Sequence, residues 1–560
     1  VKDGIEKNTV LDSRIYFHGK AVDIANLKAP VIVLFPVEDS WNDFKYRCRY
    51  RYIAHLGDDQ KEIEGHLFLG FLSSNDNIDE SGKISREVNM IDAKELPNFF
   101  TLQGGMDDYR KFVVQHGVKN SKNILLTLND LVASRGVAWR AKLIEKAQNT
   151  KIFSLAFMRD SERFFAFHNA KSIIDGLENE SFSNISNKLL LSYRVAGFSE
   201  EHCFELNFDP DSFLPKRICV LIGRNGLGKS QALHTMVSSL VKGDLRLSDG
   251  IYGRPMISRV LAIATPGETV NSFPAERANK RIKYRRLILN RAARTRISRG
   301  FCDLCVQLCR TEELIGQYHR WELFKEIIQF FPDIKNVVIP LSTDISVSAN
   351  HVLNISGRNY VPLLKLGNGG EQATLEIHGA AVSSANPMIH IENKIYPLSS
   401  GQLSIIKFIV QACLFVENGT LVLLDEPETH LHPNFISEFV KILDKLLRLT
   451  GSVAVIATHS SYFVREVPKT QVLVFKEGEG GQVSIQNPRL RTFGADVGAI
   501  SYFVFEDEIT NGLVEDILAS FPKKPNDRRA LLSELNSELS ADVVMYLRRK
   551  LDIEEEHEEN

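Results

Sequence analysis

Apolar residues in this chain gather into short runs bounded by turn-rich or helical stretches, the pattern of strands buried on both faces of a sheet. "ICVLI" (218–222), "VLAIA" (260–264), "LVLL" (421–424), "VAVIA" (453–457) and "VLVF" (472–475) are runs of this kind. The first, third and fourth lead into Gly223, Asp425 and His459, so the carboxyl ends of three predicted strands carry the residues most able to do chemistry. Earlier in the chain, "APVIVLFPVEDSW", "KYRCRYRYIAHL" and "EGHLFLGFLSS" read as strands by their β-branched and aromatic content, and "KNILLTLNDLVASRGVAWRAKLIEKAQ" as helix. That change in pattern predicts an α+β domain over 1–185 and an α/β head over 186–510, with a helical insertion at about 270–395. A helical segment and acidic tail are expected over 511–560.

A length of 560 residues is too great for one hydrophobic core and agrees with several domains. Charged residues make up 25% of the chain and the formal net charge is -2, so any anion-binding surface must be local. No apolar run is long enough to cross a bilayer and the first residues lack the apolar centre of a signal peptide, which predicts a cytoplasmic protein with no membrane partner. Seven scattered cysteines argue for reduced thiols. Cys302, Cys305 and Cys309 would share one helix face; the reading is buried small side chains, with a metal site left open.

"RICVLIGRNGLGKSQALHTMV" reads as strand, loop and helix. Its loop is G-x-x-x-x-G-K-S: Gly223, Arg224, Asn225, Gly226, Leu227, Gly228, Lys229 and Ser230, followed by Gln231. Glycines let backbone amides approach phosphate oxygens, Lys229 would neutralise the β- and γ-phosphates of ATP, and Ser230 would offer its hydroxyl to Mg²⁺. After the later strand "LVLL", Asp425 is placed to hold Mg²⁺ and Glu426 to polarise the attacking water.

Taken in order, the phosphate loop, "YPLSSGQLSIIKFIVQACLF", Asp425 with Glu426, and His459 after "SVAVIAT" resemble the head of an ABC-type ATPase. The resemblance implies that Ser399, Ser400, Gly401 and Gln402 form its signature motif, closing over nucleotide held by another subunit in a head-to-tail dimer. It also implies that His459 contacts the γ-phosphate. "DEPETHLHP" and "RTFGADVGAIS" are similar to the RecF, SMC and OLD-like branch, which puts His430 to Pro433 in the D-loop. The γ-phosphate-sensing glutamine of such heads has no clear counterpart; Thr265, Glu268, Thr269 and Asn271 are candidates. Within the branch, the layout resembles PtuA-like ATPases of Septu and retron anti-phage systems. That implies a separate HNH-type nuclease as partner and, in retrons, an RNA–DNA hybrid. No DxD with an upstream glutamate suggests a nuclease centre in this chain. A RecF- or SMC-type DNA-repair ATPase, and an ATP-bound scaffold with negligible turnover, are the alternatives.

The charge distribution changes the picture at one place. From Arg277 to Arg299 there are ten Lys or Arg and no Asp or Glu. Drawn as a helix, this segment puts Ile282, Leu289, Ala293 and Ile297 on one face and leaves the rest basic. Lys280, Arg281, Lys283, Arg285, Arg286, Arg291, Arg294, Arg296 and Arg299 are therefore candidates for contacting DNA or an RNA–DNA hybrid. An acidic protein surface is the other partner such a segment would suit.

Overall fold

Alternate residues of the apolar runs belong to two different cores. In the computed structural model Ile218, Val220 and Ile222 pack on one side of a sheet and Cys219 and Leu221 on the other; Val422 and Leu424 part in the same way from Leu421 and Leu423. Because side chains in a strand alternate in direction, unbroken apolar runs are what a sheet covered on both faces requires. The structure describes residues 14–551 apart from 21, 25–26, 38–45, 58–61, 73–79, 88, 182–183, 252, 265–271, 277–280, 289–299, 343–350, 369–370, 383–384, 479–481, 506–511 and 523–524.

This central sheet has seven strands in the order 283–288, 259–264, 421–425, 453–458, 218–223, 472–477, 483–486. All neighbours run parallel except the last pair. One face is covered by the helix Lys229–Lys242 and a three-stranded antiparallel sheet of 188–193, 202–207 and 247–249. The other is covered by the helices Phe301–Arg310, Arg320–Ile328, Ser400–Phe415 and Pro433–Thr450. Beside them lies a five-stranded antiparallel sheet in the order 353–355, 358–362, 337–340, 388–391, 394–397. Among the described residues, no helix is long and apolar enough to cross a membrane.

One expectation about the insertion is corrected here. The basic segment is not helical over Lys283–Ile288: it is a strand on the edge of the central sheet, pairing Lys283 with Arg259 through Ile288 with Ala264. Its side chains alternate between the two cores, Leu287 packing on one and Ile282 with Tyr284 on the other, while Lys283 and Arg285 are exposed, and its "KYRRLI" content suits a pleated edge. Basic side chains there also block pairing with a further strand. Phe301, Cys302, Cys305, Leu308, Leu323, Phe324 and Ile327 are buried against the sheet and the helix Ser400–Phe415. Burial raises all three thiols, Cys302 to about 12, so all three are protonated.

The amino-terminal region has its own core on a six-stranded mixed sheet in the order 91–92, 14–17, 31–36, 49–55, 63–71, 99–102. The stretch read as one long helix is three: Met106–Thr127, Leu131–Ser134 and Ala141–Gln148. Asn129 is left-handed, and the Asp130 side chain accepts from the Ala133 amide to start a new turn. This region is bound to the head at the amino-terminal edge of the central sheet. Arg110, fully buried, donates to Glu180, Glu417, Asn418 Oδ1 (2.7 Å) and the carbonyl of Leu314 (2.9 Å). Arg259 pairs with Glu162, and Lys283 reaches the other oxygen of Glu162 at 2.7 Å. Gly419 has φ 71°, and any side chain there would overlap the ring of Phe165.

Candidate functional site

The site forms at the carboxyl ends of three adjacent strands, where open α/β sheets place their ligands. Strand 453–458 lies between 218–223 and 421–425, so His459, expected to contact the γ-phosphate and so to switch with nucleotide, emerges between the phosphate loop and the paired carboxylates. Gly223, Gly226 and Gly228 have φ of 155°, 83° and 93°, and a Cβ on Gly223 would overlap the Phe475 carbonyl. Glycine is therefore required on both conformational and packing grounds. The loop delivers Lys229 and Ser230 to the start of a fourteen-residue helix, whose free amides and dipole favour an anion.

Lys229 is 5% exposed and donates from Nζ to the carbonyls of Gly223 (2.8 Å) and Arg224 (2.9 Å), inside the loop that would surround a phosphate. Burial lowers its pKa to about 8 against the opposing pull of Glu426, Asp425 and Glu428. Ser230 Oγ donates to Asp425 Oδ1 at 3.0 Å. A hydroxyl and a carboxylate brought together at a phosphate loop form the hard-oxygen pair that Mg²⁺ prefers, so these residues fit the ion. Among the described residues, no cluster of three or more His, Cys, Asp or Glu could hold a metal by itself. The remaining ligands would come from phosphate and water.

Glu426 is left-handed (φ 47°, ψ 51°), a strained state for a residue with a Cβ. Its amide still donates to the Ala457 carbonyl at 2.9 Å, so the chain leaves the strand abruptly just beyond Asp425. The His459 ring approaches the Glu426 carboxylate, Nε2 to Oε1, at 3.4 Å. Burial and the Lys229 charge lower the pKa of His459 to about 4, although a hydrogen bond with Gly223 opposes this. The imidazole is thus neutral near pH 7, and its contact with Glu426 is dipolar rather than an ion pair.

One site residue escaped the sequence reading. Glu428 turns inward, and its Oε1 accepts from Thr458 Oγ1 and from the His459 amide, both at 2.7 Å. Burial, aided by Asp425, raises its pKa against those two hydrogen bonds. The second glutamate of "DEPE" was a signal in the sequence, but three residues past Asp425 in a short turn it reads as solvated.

The signature segment sits elsewhere. Ser399 caps the helix Ser400–Phe415 and exchanges hydrogen bonds with Gln402, while Gly401 is buried and both serines are exposed. Of the basic candidates, Lys283 pairs with Glu162, Arg285 lies 3.8 Å from Glu276, and Arg286 donates to the Phe273 carbonyl. Arg281 packs over Gly243 at the carboxyl end of the helix Lys229–Lys242, where a cation complements the helix dipole. Lys280, Arg291, Arg294, Arg296, Arg299 and the sensing candidates Thr265, Glu268, Thr269 and Asn271 lie outside the described residues.

Residues 316–465 match a protein family described as an AAA domain, putative AbiEii toxin, Type IV TA system. The matched part holds the signature segment, both carboxylates and His459. The chain has an α/β P-loop ATPase fold. It is similar to protein ea59 of Escherichia phage lambda, with 23% identity over 522 residues covering 90% of this chain and 91% of that one. A similarity to the crystal structure of UvrA2 from Deinococcus radiodurans has 14% identity and a TM-score of 0.27. It covers 57% of this chain and 40% of that one, so the chain spans less than half of that structure's length.

Proposed function

We propose that this protein binds and hydrolyses ATP in a head-to-tail dimer, responds to nucleic acid, and controls a separate effector, a nuclease, in defence against phage. The observation that carries the ATPase part is the convergence at one sheet edge of Lys229, the Ser230–Asp425 pair and the Glu426–His459 pair. ATP would lie with its phosphates along 223–230; Mg²⁺, held through Ser230 and Asp425, supplies charge compensation when bound. Glu426 accepts a proton from the attacking water, and neutral His459 holds that carboxylate in place from the side of the γ-phosphate. Residues 399–402 of a second subunit, of which Ser399 and Ser400 are exposed in the single chain, complete the site from outside. The defence role is supported by the layout and by the toxin–antitoxin description of the matched family.

Glu426→Gln tests turnover. Mg²⁺-ATP affinity is expected to stay within about threefold of the parent while kcat falls by at least about 100-fold, the usual range for a lost general base. The dimer should then accumulate with ATP, as read by mass measurement. A variant that turns over at the parental rate removes Glu426 from this role.

The nucleic-acid part rests on the basic segment, of which exposed Arg285 on the edge strand is the described anchor. Replacing Arg285, Arg291, Arg294 and Arg296 by Gln should weaken binding of duplex or hybrid without lowering basal ATP turnover. The log-log salt dependence should become shallower by up to about 3.6 on duplex DNA, at about 0.9 per phosphate contact. An unchanged slope together with loss of a co-purifying protein would make that protein the partner of this surface.

A further inference from the structure

A buried carboxylate oxygen is costly unless it is paired, and half-buried Glu428 pairs one of its two. Its Oε1 collects two hydrogen bonds from the end of the switch strand, the Thr458 hydroxyl and the His459 amide at 2.7 Å each. Oε2 is sealed from solvent and has no hydrogen-bond partner among the described residues. A glutamate in a turn this short could point outward at no cost, so holding it inside must serve something the turn alone does not need.

What it touches suggests what that is. The turn that carries Glu428 begins at strained Glu426, and the amide it grips belongs to His459, whose ring faces the Glu426 carboxylate. Thr458 is drawn into the same arrangement, since its Oγ1 also accepts from the Ser460 amide at 2.9 Å. One side chain therefore spans the two loops whose separation sets the distance between carboxylate and imidazole. Both donors fall on a single oxygen, so losing that oxygen releases both segments at once.

We propose that Glu428 is a positioning residue of the nucleotide site: its carboxylate ties the turn bearing Glu426 to the main chain of His459 and so sets the spacing between the two reacting side chains. This rests on the ATPase reading above.

The test is a kinetic cycle on the full chain. Glu428→Ala should lower kcat by about 100-fold, the cost of a misplacement of about 1 Å, while KM for ATP changes less than about threefold. Glu428→Gln, which keeps an acceptor at Oε1, should recover most of that loss. Because Glu428 acts through His459, the double variant Glu428→Ala with His459→Ala should be no slower than His459→Ala alone. Additive losses, a Gln variant as slow as the Ala variant, or a parental kcat in Glu428→Ala would each overturn the proposal. Should the Ala variant not fold, Thr458→Val removes one tie from the other side, and a parental kcat there overturns it too. A parent that turns over no ATP would sink the ATPase reading and this one with it, whereas an active parent with additive variants sinks only this one.

Discussion

Lys229→Ala should weaken Mg²⁺-ATP binding by roughly 100-fold while leaving the chain folded. The ammonium is nearly fully buried in the phosphate loop and, among the described residues, donates to the carbonyls of Gly223 and Arg224, which a triphosphate would replace with charged oxygens. Two charge-assisted hydrogen bonds lost amount to about 3 kcal/mol or more, roughly a 100-fold rise in Kd. The same lysine predicts a pH signature. Its pKa in the free site is about 8, so above that pH the amine is neutral and nucleotide must bring a proton with it. Affinity should then fall by up to about tenfold per pH unit above about 8 in the parent, a slope that the Ala variant lacks. Calorimetry across this range checks both arms, and parental affinity in the folded variant would disprove the phosphate-loop assignment.

The second large effect is on stability. Glu417 lies among the guanidiniums of Arg110, Arg259 and Arg320, with Arg110 at 2.9 Å and Arg320 at 4.0 Å. Burial alone would raise its pKa; Arg110, Arg259 and Arg320 together outweigh burial and hold it at about 2. Glu417→Gln keeps the shape and removes the charge these cations share, and a buried pair broken from one side costs about 3–5 kcal/mol. Urea unfolding followed separately in the amino-terminal region and the head should show both destabilised, because Arg110 belongs to one and Glu417 to the other. The sign with pH follows from a depressed carboxyl: the contribution is fully present above the ordinary value of 4.5 and lost as pH falls towards about 2. The difference between parent and variant should therefore shrink across that window, and a constant difference would mean that shape rather than charge is responsible.

Arg110 shows where sequence reading stops. In "DDYRKF" it looks like one more solvated cation on a helix, yet it is fully buried because Glu180, Glu417 and Asn418, up to about three hundred positions away, converge on it. The basic strand is a subtler case. "IKYRRLI" fits a half-buried strand as well as a helix over so short a span, and its pairing with 259–264 decides between them. Glu428 belongs with Arg110: its inward turn follows from the position of Thr458 and His459, which no local pattern expresses.

The residues of the sequence by themselves determined the doubly covered sheet, the phosphate loop and the strand-end positions of Asp425 and His459. These depend on alternation, glycine φ and strand-then-turn order, all local properties written into consecutive residues. Tertiary structure alone decided that the basic segment closes the sheet edge, that Glu428 holds the switch strand, and that the amino-terminal sheet is bound to the head through Arg110, Arg259 and Glu417. Those features are contacts between distant segments, and a charged side chain is buried only where a partner from elsewhere in the chain offsets its lost hydration.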